Sequence, residues 1–191
     1  LIRTFVAIAL SDEVKRDLAV IAQKVMKMGL DGSFTKPDSV HLTLKFLGNI
    51  EETRVDAIGE ALTKAAAGIP VLRIQCRRVG VFPGPASPRV VWVGIEAVPE
   101  LTDLQRRIDD ELEILGFPRE DRPFSPHLTL ARLKGRANIR ILQDYLQKDG
   151  GREQAGSFSA SEVHLFRSDL RPDGALYTKL RSVTLGSLPP A

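Results

Sequence analysis

"HLTLKFLG" spans His41–Gly48, and "HLTL" returns at His127–Leu130. The chain holds three histidines, and two of them sit in this repeated tetrapeptide. Successive side chains of a strand point to opposite faces, so His41 and Thr43 share one face while Leu42 and Leu44 share the other. The same holds for His127 and Thr129 against Leu128 and Leu130. Each motif can therefore bury its leucines in a lobe and present an imidazole and a hydroxyl to a cleft. Nine threonines in 191 residues make a Thr at a fixed offset from a His roughly a 5% event, and two such coincidences are on the order of one in a hundred. The repeat is read as architecture, with two halves related by a pseudo-twofold axis and the two imidazoles facing one another.

Working outward, both halves show the order β-α-β(HLTL)-α-β. In the first, "RTFVAIA" (3–9) is a strand and Ser11 an N-cap followed by Asp12 and Glu13. Val14, Leu18, Ile21 and Val25 recur at helical spacing up to Gly29. Residues 40–47 are a strand punctuated by Gly48-Asn49. Val55, Ile58, Leu62 and Ala65 mark a second helix, and "VLRIQCRRVGVF" is extended. In the second half, "RVVWVGIEA" (89–97) is a strand. Leu101, Leu104, Ile108, Leu112 and Leu115 mark a helix, and "HLTLAR" is again a strand. Ile139, Leu142, Tyr145 and Leu146 mark a shorter helix, and "SFSASEVHLF" (157–166) is extended. The turn-rich "VFPGPASPR" (81–89) is read as a loop between lobes.

Apolar residues make up 43% of the chain and charged residues 27%, within the ordinary globular range, and the length allows a sizeable core. The single Cys76 excludes an internal disulfide framework and a cysteine-rich zinc site, and fits a reducing cytoplasm. No apolar run reaches the roughly 18 residues that span a bilayer, and the opening "LIRTFVAIALSDE" reads as a strand, not a signal peptide. A net charge of +3 tolerates a phosphate-bearing ligand but does not argue for long duplex binding.

Paired imidazoles and hydroxyls suit in-line displacement at phosphorus. One imidazole deprotonates the nucleophile while the other protonates the leaving oxygen. An unperturbed pKa near 6.5 allows either role. Thr43 and Thr129 can donate to the non-bridging oxygens where charge builds. No metal and no cofactor is required. The rival is a zinc site built from His41, His127 and His164, but no HxH, HExxH or Asp-rich motif accompanies them. His164, without a Thr two residues on, reads as structural.

"RTFVAIA", "HLTLKFLGNI", "PRVVWVGI", "PFSPHLTLARL" and "LFRSDLRPDGALYTKL" fall in an order that resembles the two-histidine (2H) phosphoesterase superfamily. The resemblance is closest to the bacterial and archaeal RNA 2′,3′-cyclic phosphodiesterases, also called 2′-5′ RNA ligases. It implies an α+β fold of two pseudo-symmetric lobes, each an antiparallel sheet with outer helices, with the active groove between them. One bilobal domain would cover 1–191, with sequence halves 1–88 and 89–191 and strands exchanged between lobes. It implies opening of a 2′,3′-cyclic phosphate to a 2′-phosphate, with His41 resembling the proton donor to the 3′-oxygen and His127 the base that activates water. Thr43 and Thr129 resemble the phosphate-oxygen donors. RNA ends or oligonucleotides bearing 2′,3′-cyclic phosphate would be the partners of a monomeric cytoplasmic enzyme, with 2′-5′ ligation as the reverse chemistry. The alternatives are a non-catalytic nucleotide- or RNA-binding module and a related exonuclease or small cyclic-nucleotide phosphodiesterase.

Three further residues are candidates for substrate binding. Lys45 shares strand parity with His41 and Thr43. Arg132 matches the "TLAR" pattern and can pair bidentately with phosphate, although it faces the groove only if the strand has ended or bulged. Phe5, like Trp92 and Tyr177, can stack on a base. Arg122, Lys134 and Arg136 add local positive charge and read as a solvated face.

Overall fold

The computed structural model describes residues 1–96, 98–172 and 174–186. The chain runs β1 (Ile2–Ala9), α1 (Asp12–Met26), β2 (Gly32–Phe34), β3 (His41–Ile50), α2 (Val55–Ala66), β4 (Leu72–Phe82) and β5 (Val90–Ile95). It continues through α3 (Pro99–Ile114), β6 (His127–Leu133), α4 (Ile139–Lys148), β7 (Gln154–Ala160), β8 (Glu162–Arg171) and β9 (Gly174–Thr184). The expected end of the second-half strand at Ala97 lies outside the described residues. Helix α1 starts where Ser11 Oγ accepts the Val14 N–H, and it buries Val14, Leu18, Ile21 and Val25.

Two antiparallel sheets form, in the orders β3-β1-β8-β9 and β2-β6-β5-β4-β7. Each motif strand pairs with the first strand of its own half: β3 with β1 and β6 with β5. Strands from each half cross to the other half's sheet: β2 and β4 join the second sheet, and β8 and β9 join the first. Strand β4 enters the second sheet beside β5, and β8 enters the first beside β1. Residues 83–89 therefore close a β4–β5 hairpin inside one sheet and do not link two lobes, which corrects the reading of "VFPGPASPR". Residues 157–166 are not one strand either. The chain passes from the second sheet to the first at Ser161, between β7 and β8. The short β2 and the long β9 were not read from the sequence.

Helices α2 and α3 pack on one another, α2 against β9 and α3 against β3, while α1 covers β7. The motif leucines Leu42, Leu44, Leu128 and Leu130 are all buried in the main core. Strand β3 runs straight through Gly48-Asn49, where a turn was expected. Gly48 takes φ 71° in a bulge that sets Thr4 opposite Gly48 and Phe5 opposite Phe46. Glycine meets that left-handed requirement without a Cβ clash, so pairing continues. Among the described residues no helix is long and apolar enough to cross a membrane.

Candidate active site

Strands β3 and β6 come from different sheets, yet their residues approach within 8 Å, Cα to Cα. His41, Thr43, His127 and Thr129 all line one groove of about 650 Å³. The two motifs share their local geometry. His41 Nδ1 lies 2.9 Å from the Ser39 carbonyl and His127 Nδ1 lies 2.8 Å from the Ser125 carbonyl. A carbonyl only accepts, so Nδ1 must carry the hydrogen, and the neutral ring keeps its lone pair on Nε2. The motif is thus longer than the tetrapeptide. "SVHLTL" and "SPHLTL" each place a serine two residues upstream, a shared signal overlooked in the sequence.

Both strands also bulge at the same place. In β3, Thr43 faces Ala7 and Lys45 faces Val6, so Leu44 is the extra residue. In β6, Thr129 faces Trp92 and Ala131 faces Val91, so Leu130 is the extra residue. An extra residue reverses the parity of everything after it. Lys45 and Ala131 accordingly turn inward, while Phe46 and Arg132 turn to the groove.

Lys45 is therefore not a groove residue, contrary to expectation. It is 2% exposed. Its ammonium pairs with Asp109 of α3 and donates to the Pro118 carbonyl at 2.7 Å, and Gln105 Nε2 donates to the other oxygen of Asp109 at 2.8 Å. Arg132, by contrast, takes the groove position that its bulge permits. Phe46, 56% exposed and at the equivalent position of the other motif, was missed because β3 was read without a bulge.

Phe5 lines the groove but is 3% exposed. His41 stacks on it at 4.5 Å and Phe166 at 5.3 Å between ring centres. With rings stacked on it in this way, Phe5 holds the imidazole and offers no platform to a base, correcting its expected stacking role. Tyr177 meets His41 edge-on at 5.0 Å, and Phe82 meets His127 edge-on at 5.0 Å. Trp92 is wedged over Gly80, where a Cβ would collide with its ring. Burial lowers the His41 pKa below its ordinary value, the Ser39 carbonyl opposes the shift, and the Arg132 guanidinium from the other sheet adds to it.

His164 is buried away from the groove, with Nδ1 2.8 Å from Ser182 Oγ. It cannot complete a zinc site with the other two. Among the described residues no group of three or more His, Cys, Asp or Glu is placed to hold a metal ion.

The family model of the 2′-5′ RNA ligase superfamily matches residues 3–172. The chain belongs to that superfamily. Within the 2′-5′ RNA ligase superfamily, it is 35% identical over 179 residues to a Methanothermobacter thermautotrophicus protein named RNA 2′,3′-cyclic phosphodiesterase, covering 94% of this chain and 96% of the relative. An Archaeoglobus fulgidus protein of the same name is 34% identical over 180 residues, covering 94% and 98%. The crystal structure of TT0787 of Thermus thermophilus superposes with a TM-score of 0.78 at 28% identity, over 96% of this chain and 97% of that one. All three likenesses span both motifs of this superfamily member.

Proposed function

We propose that this chain hydrolyses terminal 2′,3′-cyclic phosphate on RNA to a 2′-phosphate by metal-free acid–base catalysis. Water attacks phosphorus as His127 Nε2 takes its proton, the bond from phosphorus to the 3′-oxygen breaks, and His41 delivers a proton to that oxygen. Thr43, Thr129 and Arg132 donate to the non-bridging oxygens as charge grows. The observation that carries this reading is the duplicated motif in one groove, with Nδ1 of both rings committed to a carbonyl. The relatives named RNA 2′,3′-cyclic phosphodiesterase support the substrate class. The matched local geometry of the two motifs also supports the reverse reaction, in which a ribose hydroxyl replaces water and a 2′-5′ linkage forms. The enzyme acts as a monomer in the cytoplasm, where its buried thiol Cys76 stays reduced.

The test is incubation of the purified protein, with EDTA present, with an oligoribonucleotide ending in 2′,3′-cyclic phosphate. The expected product carries a 2′-phosphate. A 3′-phosphate product would reverse the leaving group, and loss of activity restored by zinc would replace the mechanism with metal catalysis.

A further inference from the structure

Beyond the groove, positive charge follows β6 out of the active site. Arg132 lines the groove, and Lys134 and Arg136 follow at alternate positions, all three exposed. Arg136 then opens a second cleft of about 510 Å³, shared with Asn138, Arg140, Gln143 and Ala86 of the β4–β5 loop. Gln143 Nε2 donates to the Pro85 carbonyl at 2.7 Å, which pins α4 to that loop and holds the cleft open at the end of β6. Leu133 N–H donates to the Arg89 carbonyl, so the loop and the end of β6 are joined.

None of Arg132, Lys134, Arg136 and Arg140 forms an ion pair with a described acid. Asp31 lies against Gly135 and tempers the run without closing a bridge to it. The contrast is α3, whose Asp103, Asp110 and Glu113 bind Arg106 and Arg107 of the same helix and Arg119 beyond its end. Arg140 also sits in the first turn of α4, which holds no acidic residue. A cation there opposes the helix dipole. The sequence thus keeps unneutralised charge beside the groove at a local cost in stability, a pattern expected of a functional surface.

We propose that Lys134, Arg136 and Arg140 form a track for the ribose-phosphate backbone that lies upstream of the terminal cyclic phosphate. This rests on the RNA phosphodiesterase reading and narrows its substrate class to oligonucleotides over mononucleotides. Lys134 follows the end of β6 beside the groove, and Arg136 and Arg140 line the second cleft, so the cations run from the groove toward that cleft, the course a single strand would take with its terminus in the groove. The groove takes the terminus and the second cleft takes the strand a few nucleotides away.

The experiment compares a 2′,3′-cyclic mononucleotide with oligoribonucleotides of two to eight residues ending in cyclic phosphate. Wild-type kcat/KM rises with length and then levels off. In Arg136→Gln/Arg140→Gln, KM for the eight-residue substrate rises about tenfold and kcat/KM for the mononucleotide is unchanged. Loss of two phosphate contacts lowers the slope of log affinity against log salt by about 1.4 for a single strand. Arg16→Gln/Lys64→Gln removes the same charge from α1 and α2 and leaves all three quantities unchanged. An unaltered oligonucleotide KM and salt slope in the first variant, or equal losses in the control, overturns the track. If wild type hydrolyses neither substrate, the phosphodiesterase reading fails by itself. Fluorescence anisotropy of a labelled eight-residue strand still decides the track, and equal Kd for wild type and Arg136→Gln/Arg140→Gln overturns it.

Discussion

At the scale of single residues, the proposed mechanism divides one task between two imidazoles that share the same Nδ1–carbonyl contact. His41→Ala and His127→Ala should each lower turnover by about 10²–10⁴-fold, the range for a general acid or base. The double variant should fall far short of the product of the two losses, because the groups act as a unit. The roles separate on a substrate whose leaving 3′-oxygen is replaced by sulfur, which departs without a proton. His41→Ala should be largely rescued on it and His127→Ala should not, and rescue of the His127 variant would exchange the assignments. The surroundings of His41 add a pH signature. Burial, with help from Arg132, places its pKa below the ordinary value of 6.5. The acid must hold its proton, so kcat/KM, which reports the free enzyme, should begin to fall at a pH below about 6.5. A bound phosphodiester anion favours the imidazolium, so the falling limb of kcat should lie at higher pH than that of kcat/KM. Arg132→Gln removes one cause of the depression and should move the kcat/KM limb upward. A limb that ignores this substitution in initial-rate profiles belongs to another group.

At the scale of elements, one inserted residue after the Thr of each motif decides which later side chains face the groove. The four proposed catalytic residues were legible as groove residues because His and Thr precede the bulge and follow simple alternation. Lys45 was misread because alternation was carried past Leu44, while Arg132 reached the groove by the same slip at Leu130. A bulge of this kind has no composition signature, because leucine fills an extended position as readily as a bulged one. The repeat held the missing information: "HLTLKF" and "HLTLAR" must bury the fifth residue together or expose it together. What the inward turn gives β3 is a strut, in which Lys45 ties the back of the catalytic strand to Asp109 and Gln105 of α3. Lys45→Met should leave the Asp109 carboxylate buried without its counter-ion and cost about 3–5 kcal/mol in urea denaturation. Lys45→Met/Asp109→Leu removes both charges and should recover most of that loss. A double variant as unstable as the single one would show that the strut contributes net stability.

At the scale of the whole molecule, the exchange of strands makes the two sequence halves incomplete without each other. The helices and the strands β1, β3, β4, β5 and β6 were legible from periodicity and caps, but β2, β9 and the break between β7 and β8 were not, and periodicity says nothing about which sheet a strand joins. Among the described residues β4 pairs only with β5 and β7, and β2 only with β6, so all these partners belong to the second half. A fragment 1–88 retains one strand pair, β1 with β3. A fragment 89–191 retains β5 with β6 and β8 with β9, but loses the β4 that joins β7 to the sheet and the β1 that joins β8 to β3. Isolated strand pairs are marginal in water. Neither fragment should therefore show a cooperative thermal transition by circular dichroism, and an equimolar mixture should regain one. The same exchange holds the groove together. The sheet that carries His41 takes β8 and β9 from the second half and the sheet that carries His127 takes β2 and β4 from the first, so neither half can supply a complete wall of the groove. A cooperative transition in 1–88 alone would show that each half carries its own folding unit and that the groove is a hinge between two of them.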